Sequence, residues 1–328
     1  MNATQLFKRF NEAKILVIGD VIIDRYLDGK VNRISPEAPV PIIHLQKTDN
    51  RLGGAANVAL NIKAMGATPY LFSIIGKDEN AQIFQDLMPQ NNLWEKGILQ
   101  SKDRCTTVKT RVMSSNQQLL RVDREDTHDL TSNEEDLLMH TIKSFLAEQK
   151  IDVIILQDYN KGIFSISMIQ KTLSVANKYV IPVVVDPKKA NFFDFKNVAI
   201  FKPNLKEIRE STPFEVLTDL DSLKKASAFL RSQSGNKNTI ITLSEKGMFI
   251  DDGENAKIIP TQIRNIADVC GAGDSVIGLT AIGLAMKLRL EEIAILANLA
   301  GGQVCEKVGV VPVDKTQLQN EYVELVGE

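Results

Sequence analysis

Short apolar runs alternate with amphipathic stretches along the second half of the chain. The apolar runs occupy 153–156, 183–185, 199–201 and 239–243, and the amphipathic stretches occupy 167–178 and 219–232. This rhythm is typical of buried parallel strands joined by helices that cover both faces of the sheet through right-handed crossovers. Beyond Pro260 the period becomes helical over 275–287, 290–307 and 316–326. The pattern predicts an α/β fold with a mostly parallel central sheet.

Two other segments, 21–47 and 104–124, show strand-like alternation instead. In the second segment, apolar or β-branched positions alternate with Lys109, Arg111 and Met113 before a turn of small polar residues. We predict that these two segments, although far apart in the sequence, leave the main fold and pair with each other in one small sheet. The alternative, that they are edge strands of the main sheet, stays open.

The composition fits a globular chain with a large core. Hydrophobic residues make up 44% and charged residues 24%, and 39 Lys and Arg against 41 Asp and Glu give a net charge of −2. This balance shows no basic bias toward nucleic acid or a membrane surface. No repeat, low-complexity tract or flexible linker is evident, so we expect a single domain over 1–328 that includes the small sheet.

Cysteine usage and the absence of targeting signals narrow the class of protein. The three cysteines, Cys105, Cys270 and Cys305, form no C-x-x-C pair, which argues against a disulfide framework and a cysteine-rich zinc site. Cys270 precedes a predicted helix, a position that could lower its thiol pKa, but we interpret it as a small space-filling residue. The sequence shows no export signal and no apolar stretch of roughly 20 residues, so we expect a cytoplasmic protein.

The segment 268–275 carries the strongest chemical signal in the chain. Backbone amides of Gly271, Ala272 and Gly273 would converge at the start of a predicted helix, where an anion is stabilised. A carboxylate at this place would repel a bound phosphate, so its presence indicates a chemical role. Asp274 is therefore a candidate general base, which would take the proton from a hydroxyl that attacks the phosphate. The alternative is a glycine-rich turn with an aspartate cap.

Spacing excludes two other phosphate-binding loops. A dinucleotide fingerprint requires a third glycine at the position of Val276. A P-loop requires four residues between its glycines and then Lys-Ser/Thr, a string that the chain does not contain. The chain would therefore bind phosphate through a different type of loop.

A pair of glycines, Gly53 and Gly54, lies far upstream before another predicted helix. Glycine allows the backbone to approach a ligand closely, and the nearby Asn57 offers a donor and an acceptor that suit sugar hydroxyls. Together with Gly-Ala-Gly-Asp at 271–274, this segment resembles the two signatures of the PfkB, or ribokinase-like, family of carbohydrate kinases.

The resemblance covers essentially the whole chain and is most detailed for the heptose 7-phosphate kinase branch of that family. The matching strings lie at 18–21, 24–26, 33–41, 116–118, 158–162 and 243–248. Val276 and Leu279 depart from the general family pattern, which favours an aromatic and then a small residue there.

The resemblance implies a ribokinase-like three-layer α/β/α sandwich, with the small sheet as a lid over the sugar site and as the contact of a homodimer. It implies a kinase that uses ATP and Mg²⁺, with K⁺ as a further cation, to phosphorylate O-1 of D-glycero-β-D-manno-heptose 7-phosphate on the route to ADP-heptose for lipopolysaccharide. Two alternatives stay open: a related kinase for a hexose or hexose phosphate, and a catalytically silent sugar-binding regulator. The chain has no His-x-Gly-His motif, so nucleotidyl transfer is expected from another polypeptide.

By resemblance, the ATP site lies in the second half of the chain. Ser244, Gly247 and Asn298 would lie near the nucleoside, and the amides of 271–273 near the phosphates. Lys188 would also contact the phosphates, although a solvated lysine is the alternative.

The metal sites implied by the resemblance involve three residues. Asn204 and Glu207 match the family's Asn-x-x-Glu motif, which organises Mg²⁺ through its waters, although the same spacing is a common helix capping box. Asp268 would belong to a potassium-binding corner.

The sugar would be bound in the first half of the chain. Asp24 would accept hydrogen bonds from adjacent hydroxyls beside Gly53, Gly54 and Asn57, with Asp20 as the alternative acceptor. A distal phosphate calls for cations, because paired arginine donors match its oxygens. The candidates for this part of the site are Arg33, Arg104, Lys109, Arg111, Arg121 and Lys161, with Gln118 as a polar neighbour.

Overall fold

The computed structural model describes residues 2–115 and 117–327, so Asn116 of the string at 116–118 lies outside the described residues. The strands are β1 (Lys14–Gly19), β2 (Val21–Ile34), β3 (Pro41–Gly54), β4 (Thr68–Gly76), β5 (Ile98–Ser101), β6 (Val108–Ser114), β7 (Gln117–Arg124), β8 (Val153–Gln157), β9 (Val183–Asp186), β10 (Ile200–Phe201), β11 (Asn238–Thr242), β12 (Met248–Asp251) and β13 (Ala256–Ile259). The helices are α1 (Ala3–Arg9), α2 (Ala55–Ala64), α3 (Glu79–Gln90), α4 (Ser132–Glu148), α5 (Ile166–Lys178), α6 (Leu205–Ser211), α7 (Leu220–Ser234), α8 (Ala272–Ala285), α9 (Leu290–Cys305) and α10 (Lys315–Val326).

Nine strands form the central sheet in the order β13-β12-β11-β10-β9-β8-β1-β4-β5. Neighbouring strands from β5 through β11 are parallel, whereas β11, β12 and β13 pair antiparallel. The predicted α/β pattern is confirmed. The sequence pattern did not predict β12 and β13, because no α-helix separates them from β11, so the strand–helix alternation that identified the other strands is missing there.

Helices cover both faces of this sheet and enclose two cores. Ile15 and Val17 of β1 point into one core, and Leu16 and Ile18 point into the other, because successive side chains of a strand face opposite sides. The first core packs against α1, α2, α3, α8, α9 and α10, and the second against α4, α5, α6 and α7. The result is the three-layer α/β/α architecture that the resemblance implied.

The segments around 21–47 and 104–124 form a separate four-stranded sheet in the order β3-β2-β6-β7. The alternative that they are edge strands of the main sheet is therefore wrong. β2 pairs with β3 over almost its whole length and with β6 in parallel, and the chain passes from Gly54 at the end of β3 directly into α2. This sheet, which we call the small sheet, consequently begins at the edge where the central strands end.

Three neighbouring parallel strands of the central sheet carry acidic residues at that same edge. Asp20 follows β1, Asp158 follows β8, and Asp186 is the last residue of β9. Because parallel strands end on one side of a sheet, the fold brings these carboxylates together beside the start of the small sheet. Within residues 2–115 and 117–327, no helix has the length and apolar character needed to cross a membrane.

Candidate active site

The helix α8 begins three residues before the predicted start at Ser275, so the glycine-rich segment forms its first turn. Gly271 caps the helix with φ 82°, and a Cβ atom there would lie 2.9 Å from the Asn57 amide nitrogen. Both facts favour glycine at this position. The first amides of a helix have no partner four residues earlier, so those of Gly273 and Asp274 are available to an anion.

Asp274 lies in this first turn, and its side chain is held by two hydrogen bonds. The Tyr159 hydroxyl donates to Oδ1 at 2.6 Å, and the Asn57 amide donates to Oδ2 at 2.8 Å. Asp274 is buried, with 4% of its surface exposed. Burial raises the pKa of Asp274 to about 6 against the opposing effect of these two hydrogen bonds. The carboxylate is therefore charged at neutral pH and basic enough to accept a proton.

Asn57 was predicted to bind sugar hydroxyls, but the structure gives its side chain another partner. It is fully buried in α2, and its amide nitrogen donates to Asp274. The neighbouring Asn61 donates to the backbone oxygen of Asn57 at 2.8 Å. Asn57 therefore orients the candidate base from within the protein.

Tyr159 is a site residue that sequence reasoning missed. Its string at 158–162 was noted only for its resemblance to the heptose kinase branch, and nothing in the sequence indicates that the hydroxyl reaches Asp274. The backbone amides of Tyr159 and Lys161 donate to Asp20 at 2.7 and 3.1 Å, and that of Ile163 donates at 3.3 Å. Asp20 thus holds this loop, which disfavours it as the alternative sugar ligand.

Lys188, Glu207 and Asp186 form a charged group near Tyr159. The Lys188 ammonium pairs with Glu207 and lies 3.6 Å from Asp186, and it lies 5.6 Å from the Tyr159 ring centroid. Burial opposes the charge on Lys188, but the carboxylates outweigh it and raise its pKa. The buried Lys202 ammonium lies 3.0 Å from the second Asp186 oxygen. The alternative of a simply solvated Lys188 is therefore wrong.

Asn204 and Glu207 form the capping box of α6. The Glu207 amide donates to the Asn204 side chain at 2.9 Å, and the Asn204 amide donates to Glu207 at 2.8 Å. The capping interpretation is confirmed, and it leaves the motif beside Lys188 at the phosphate end of the site.

The carboxylates of Asp186 and Glu207 suit a metal ion that keeps most of its coordinated water molecules. Among residues 2–115 and 117–327, no cluster of three or more His, Cys, Asp or Glu side chains could enclose a metal ion. One buried Asp186 oxygen has no hydrogen-bond donor, and the other lies 3.9 Å from the position of a Cβ on Gly273. Mg²⁺ needs only one or two protein carboxylates beside substrate phosphates, so Asp186 and Glu207 fit such an ion.

A cavity of about 570 Å³ opens beside the first turn of α8. Ser244, Gly247 and Asn298, the three residues predicted near the nucleoside, all line it, and so do Ala272 and Gly273. Its remaining wall includes Ile263, Ile266, Val269 and Val276. The apolar wall and its continuity with the helix N-terminus suit a nucleoside whose phosphates extend toward Asp274.

Asp24 and Arg111 form a buried ion pair on the small sheet, with 2.5 Å between the Arg111 Nη1 and the Asp24 Oδ1. A Cβ on Gly53 would lie 2.0 Å from the other Asp24 oxygen, so the position accommodates only glycine. Burial opposes the charge on Arg111, but Asp24 outweighs it and raises the pKa of Arg111. The guanidinium also lies 5.4 Å from the Tyr26 ring centroid, so it is already committed to contacts within the protein.

Lys109, on β6, and Lys161, two residues after Tyr159 along the chain, are the next two predicted sugar-site cations. The Lys109 ammonium lies 5.6 Å from the Tyr159 ring centroid, in register with Asp24 on the neighbouring strand. Burial and the charge of Lys161 lower the pKa of Lys109. Lys161 itself pairs with Glu125 at 2.8 Å. Two like charges held close together are a natural site for an anion.

The other predicted sugar-site residues differ in position, and Arg104 lines a small cavity together with Asp20 and Lys161. Arg104 donates to the backbone oxygen of His128, while Arg121 pairs with Asp123 on β7. Arg33 is exposed nine residues beyond Asp24 on β2, or roughly 30 Å at about 3.3 Å per residue. Gln118 is likewise exposed. The structure therefore does not bring Arg33 and Gln118 to Asp24, whereas Arg121 lies opposite Arg111 on the neighbouring strand.

Asp268 accepts hydrogen bonds from the backbone amides of Cys270 at 3.0 Å and Gly309 at 2.9 Å. Burial would raise its pKa, but these hydrogen bonds outweigh that effect and lower it. Burial and the Asp268 carboxylate raise the pKa of Cys270 to about 11, so a lowered thiol pKa is excluded. This result agrees with the space-filling interpretation of Cys270.

Comparisons with known proteins agree with this geometry. The family described as "pfkB family carbohydrate kinase" matches residues 12–316. Proteins named "Bifunctional protein HldE" are similar to the chain: that of Magnetococcus marinus is 38% identical over 312 residues, and that of Histophilus somni is 37% identical over 318 residues. These alignments cover 94% and 96% of the chain but only 64% and 65% of the relatives, so the chain spans less than two thirds of their length.

Solved structures show the same fold at low sequence identity. Phosphofructokinase-2 from Escherichia coli in complex with potassium has a TM-score of 0.81 and 21% identity, covering 95% of this chain and 99% of that chain. Ribokinase from Arabidopsis thaliana complexed with ribose and ATP has a TM-score of 0.72 and 15% identity, covering 94% and 98%. The family match over nearly the whole chain shows that this protein belongs to the pfkB family of carbohydrate kinases, phosphotransferases that use ATP and a divalent metal.

Proposed function

We propose that this kinase transfers the γ-phosphoryl group of ATP to O-1 of D-glycero-β-D-manno-heptose 7-phosphate, giving the 1,7-bisphosphate that leads to ADP-heptose. The observation that carries the proposal is the position of Asp274. This buried carboxylate follows Ala272 and Gly273, which line the nucleoside-sized cavity, and it accepts a hydrogen bond from Tyr159, whose ring centroid lies 5.6 Å from the Lys109 ammonium. The similarity to relatives named HldE supports the heptose branch.

The geometry suggests how the chain performs this transfer. The phosphates lie against the first-turn amides of α8, and Asp274 accepts the proton of the attacking hydroxyl. Transfer passes through a loose transition state, so positioning and charge stabilisation supply most of the catalysis. Lys188 contributes positive charge at the phosphate end, where it already neutralises Glu207 and Asp186.

Mg²⁺, when bound, would neutralise the charge that develops on the transferring phosphoryl group. Glu207 would hold it through water, as the Asn204 motif implies, and Asp186 would be the second nearby carboxylate. Asp268 and the backbone around Gly309 would form the potassium corner.

On the sugar side, we propose that Asp24 accepts hydrogen bonds from the hydroxyls beside Gly53 and Gly54. Arg111 orients Asp24 through their ion pair. Lys109 and Lys161 bind the distal 7-phosphate, because the Lys109 ammonium lies 5.6 Å from the Tyr159 ring centroid and the charge of Lys161 acts on it. The small sheet then acts as the lid of this site.

Replacing Gly273 by alanine tests the proposed phosphate site at the start of α8. Nothing in the fold requires glycine there, since a Cβ would meet only Asp186 at 3.9 Å, and alanine favours a helix. We expect unchanged or slightly higher thermal stability but an ATP KM raised at least about tenfold, because the added methyl group would obstruct the approach of a phosphate to the helix amides, and hydrogen bonds to charged groups are worth roughly 1.5–3 kcal/mol. Gly278→Ala, whose Cβ would make an ordinary 3.5 Å contact with Asn61, is the matched control. An unchanged ATP KM in Gly273→Ala would place the phosphates elsewhere.

We also propose that the small sheet joins two copies of the chain. Leu120 and Val122 expose 56% and 52% of their surfaces on β7, an edge strand, and Leu45 exposes 50% on β3, the other edge. Pairing two such sheets covers apolar surface and free strand edges. Light scattering should therefore report a dimer at micromolar concentration, and Leu120→Asp should shift it to monomer. A wild-type monomer would contradict the proposal.

The identity of the product tests the proposed reaction. Phosphorus NMR of the product made from heptose 7-phosphate and ATP should show a second phosphate at the anomeric carbon and ADP in equal amount. Phosphorylation at another hydroxyl would overturn the assignment of O-1.

A further inference from the structure

Tyr159 lies where the two halves of the proposed site meet. Its hydroxyl donates to the Asp274 carboxylate at 2.6 Å. The ammonium groups of Lys109, from the small sheet, and Lys188, from the loop after β9, each lie 5.6 Å from its ring centroid. The side chain therefore contacts the base, the sugar side and the phosphate side at once.

The loop that carries Tyr159 is anchored by buried carboxylates. Asp20, with 2% of its surface exposed, accepts the Tyr159 amide at 2.7 Å. Asp158, with 1% exposed, accepts the amide of Asn160 at 2.7 Å, and Asn160 has a left-handed φ of 53°. These contacts fix the backbone on both sides of Tyr159, so its hydroxyl has a defined position relative to α8.

We propose that Tyr159 is a positioning residue that, with Asn57, fixes the orientation of the Asp274 carboxylate toward the acceptor hydroxyl. The inference rests on the proposed function, in which Asp274 is the base. During transfer, the hydroxyl proton passes to Asp274 as the hydroxyl oxygen bonds to the γ-phosphorus and the bridging oxygen leaves with ADP. The proton of Tyr159 stays on its own oxygen throughout.

The surrounding charges keep Tyr159 a hydrogen-bond donor. Burial, followed by the charges of Asp274 and Asp186, raises the pKa of Tyr159 well above its ordinary value. Asp186 and Asp24 also raise the pKa of Asp274, whereas the hydrogen bonds from Tyr159 and Asn57 lower it. Loss of the phenol hydroxyl removes one of these two stabilising bonds, so the pKa of Asp274 should rise.

Tyr159→Phe tests the proposal, because it removes the hydroxyl and keeps the ring. We expect kcat to fall about tenfold, with the KM values for ATP and sugar phosphate within about twofold of wild type. If Asp274 is the titrating base, the acidic limb of the wild-type plot of kcat against pH lies near pH 6. In Tyr159→Phe this limb should move upward by about one pH unit, because the lost hydrogen bond lowers the pKa of a carboxylate by roughly that amount. Tyr179→Phe, which alters an exposed tyrosine at the end of α5, is the matched control and should change none of these quantities.

A double variant decides whether Tyr159 acts through Asp274. If it does, adding Tyr159→Phe to Asp274→Asn should not reduce the residual single-turnover rate further, because residues that act as a unit are not additive. A further tenfold loss, an unmoved pH limb, or equal losses in kcat and in both affinities would overturn the inference. Normal turnover in Asp274→Asn alone would instead overturn the role of Asp274 in the proposed function, so the two failures are distinguishable.

Discussion

Replacing Asp274 by asparagine should reduce kcat by at least about 10²-fold, the usual contribution of a general base. The amide retains the size of the side chain and removes its capacity to accept the hydroxyl proton. ATP should still bind within roughly threefold of its wild-type affinity, because the nucleoside cavity and the amides of α8 are retained. The measurement is steady-state kcat together with ATP binding by calorimetry.

A surface aspartate provides the control for this substitution. Asp252 lies in the exposed turn between β12 and β13, and Asp252→Asn should leave kcat unchanged. Turnover of Asp274→Asn within threefold of wild type would remove Asp274 from the mechanism. A large loss of ATP affinity in the same variant would show that the substitution disturbs the phosphate site rather than the base.

Replacing both Lys109 and Lys161 by glutamine should raise the KM for heptose 7-phosphate at least about 100-fold, since two hydrogen bonds to a charged group at roughly 1.5 kcal/mol each are lost. The KM for the unphosphorylated heptose should change little, because that sugar has no anion for these lysines to bind. Parallel measurement of both constants in the double variant gives the asymmetry directly.

Two considerations set the design of this experiment. Arg111 is left intact, because removing it would strand the buried Asp24 charge, a change that costs about 3–5 kcal/mol and would confound binding with folding. Lys30 and Lys47, exposed on β2 and β3, provide the matched double control. Equal effects on the two sugars would show that Lys109 and Lys161 do not bind a distal phosphate.

The sequence predicted the helices and strands whose hydrophobic residues recur with a clear period. It also predicted the glycine-rich loop before α8, whose small residues are closely spaced. Strands β8 to β11 and the helices after Pro260 were predictable because buried parallel strands and amphipathic helices repeat along the chain. The small sheet was predictable from its alternation. The glycine-rich start of α8 was also predictable, because an anion site at a helix N-terminus requires closely spaced small residues.

The partners of the polar side chains were not predictable, because they depend on which strand ends lie side by side. Asn57 and Asp274 are 217 positions apart in the sequence, and Tyr159 and Asp274 are 115 apart, yet each pair is hydrogen bonded. Arg111 has the charge of a phosphate ligand, but it lies opposite Tyr26 in the strand register and its side chain reaches Asp24, two residues away on β2. The sequence identifies such residues as candidates, but it does not show whether their side chains contact a ligand or another part of the protein.

A substrate comparison tests the central claim most directly. Initial rates of ADP formation should be measured with heptose 7-phosphate, free heptose, fructose 1-phosphate, fructose 6-phosphate and ribose under identical conditions. We expect kcat/KM for heptose 7-phosphate to exceed each of the others by at least about 10²-fold, because only this substrate combines an anomeric hydroxyl on C-1, for Asp274, with a phosphate on C-7, for the distal lysines. An equal or higher kcat/KM for fructose 6-phosphate or ribose would contradict the assignment of a heptose 7-phosphate kinase.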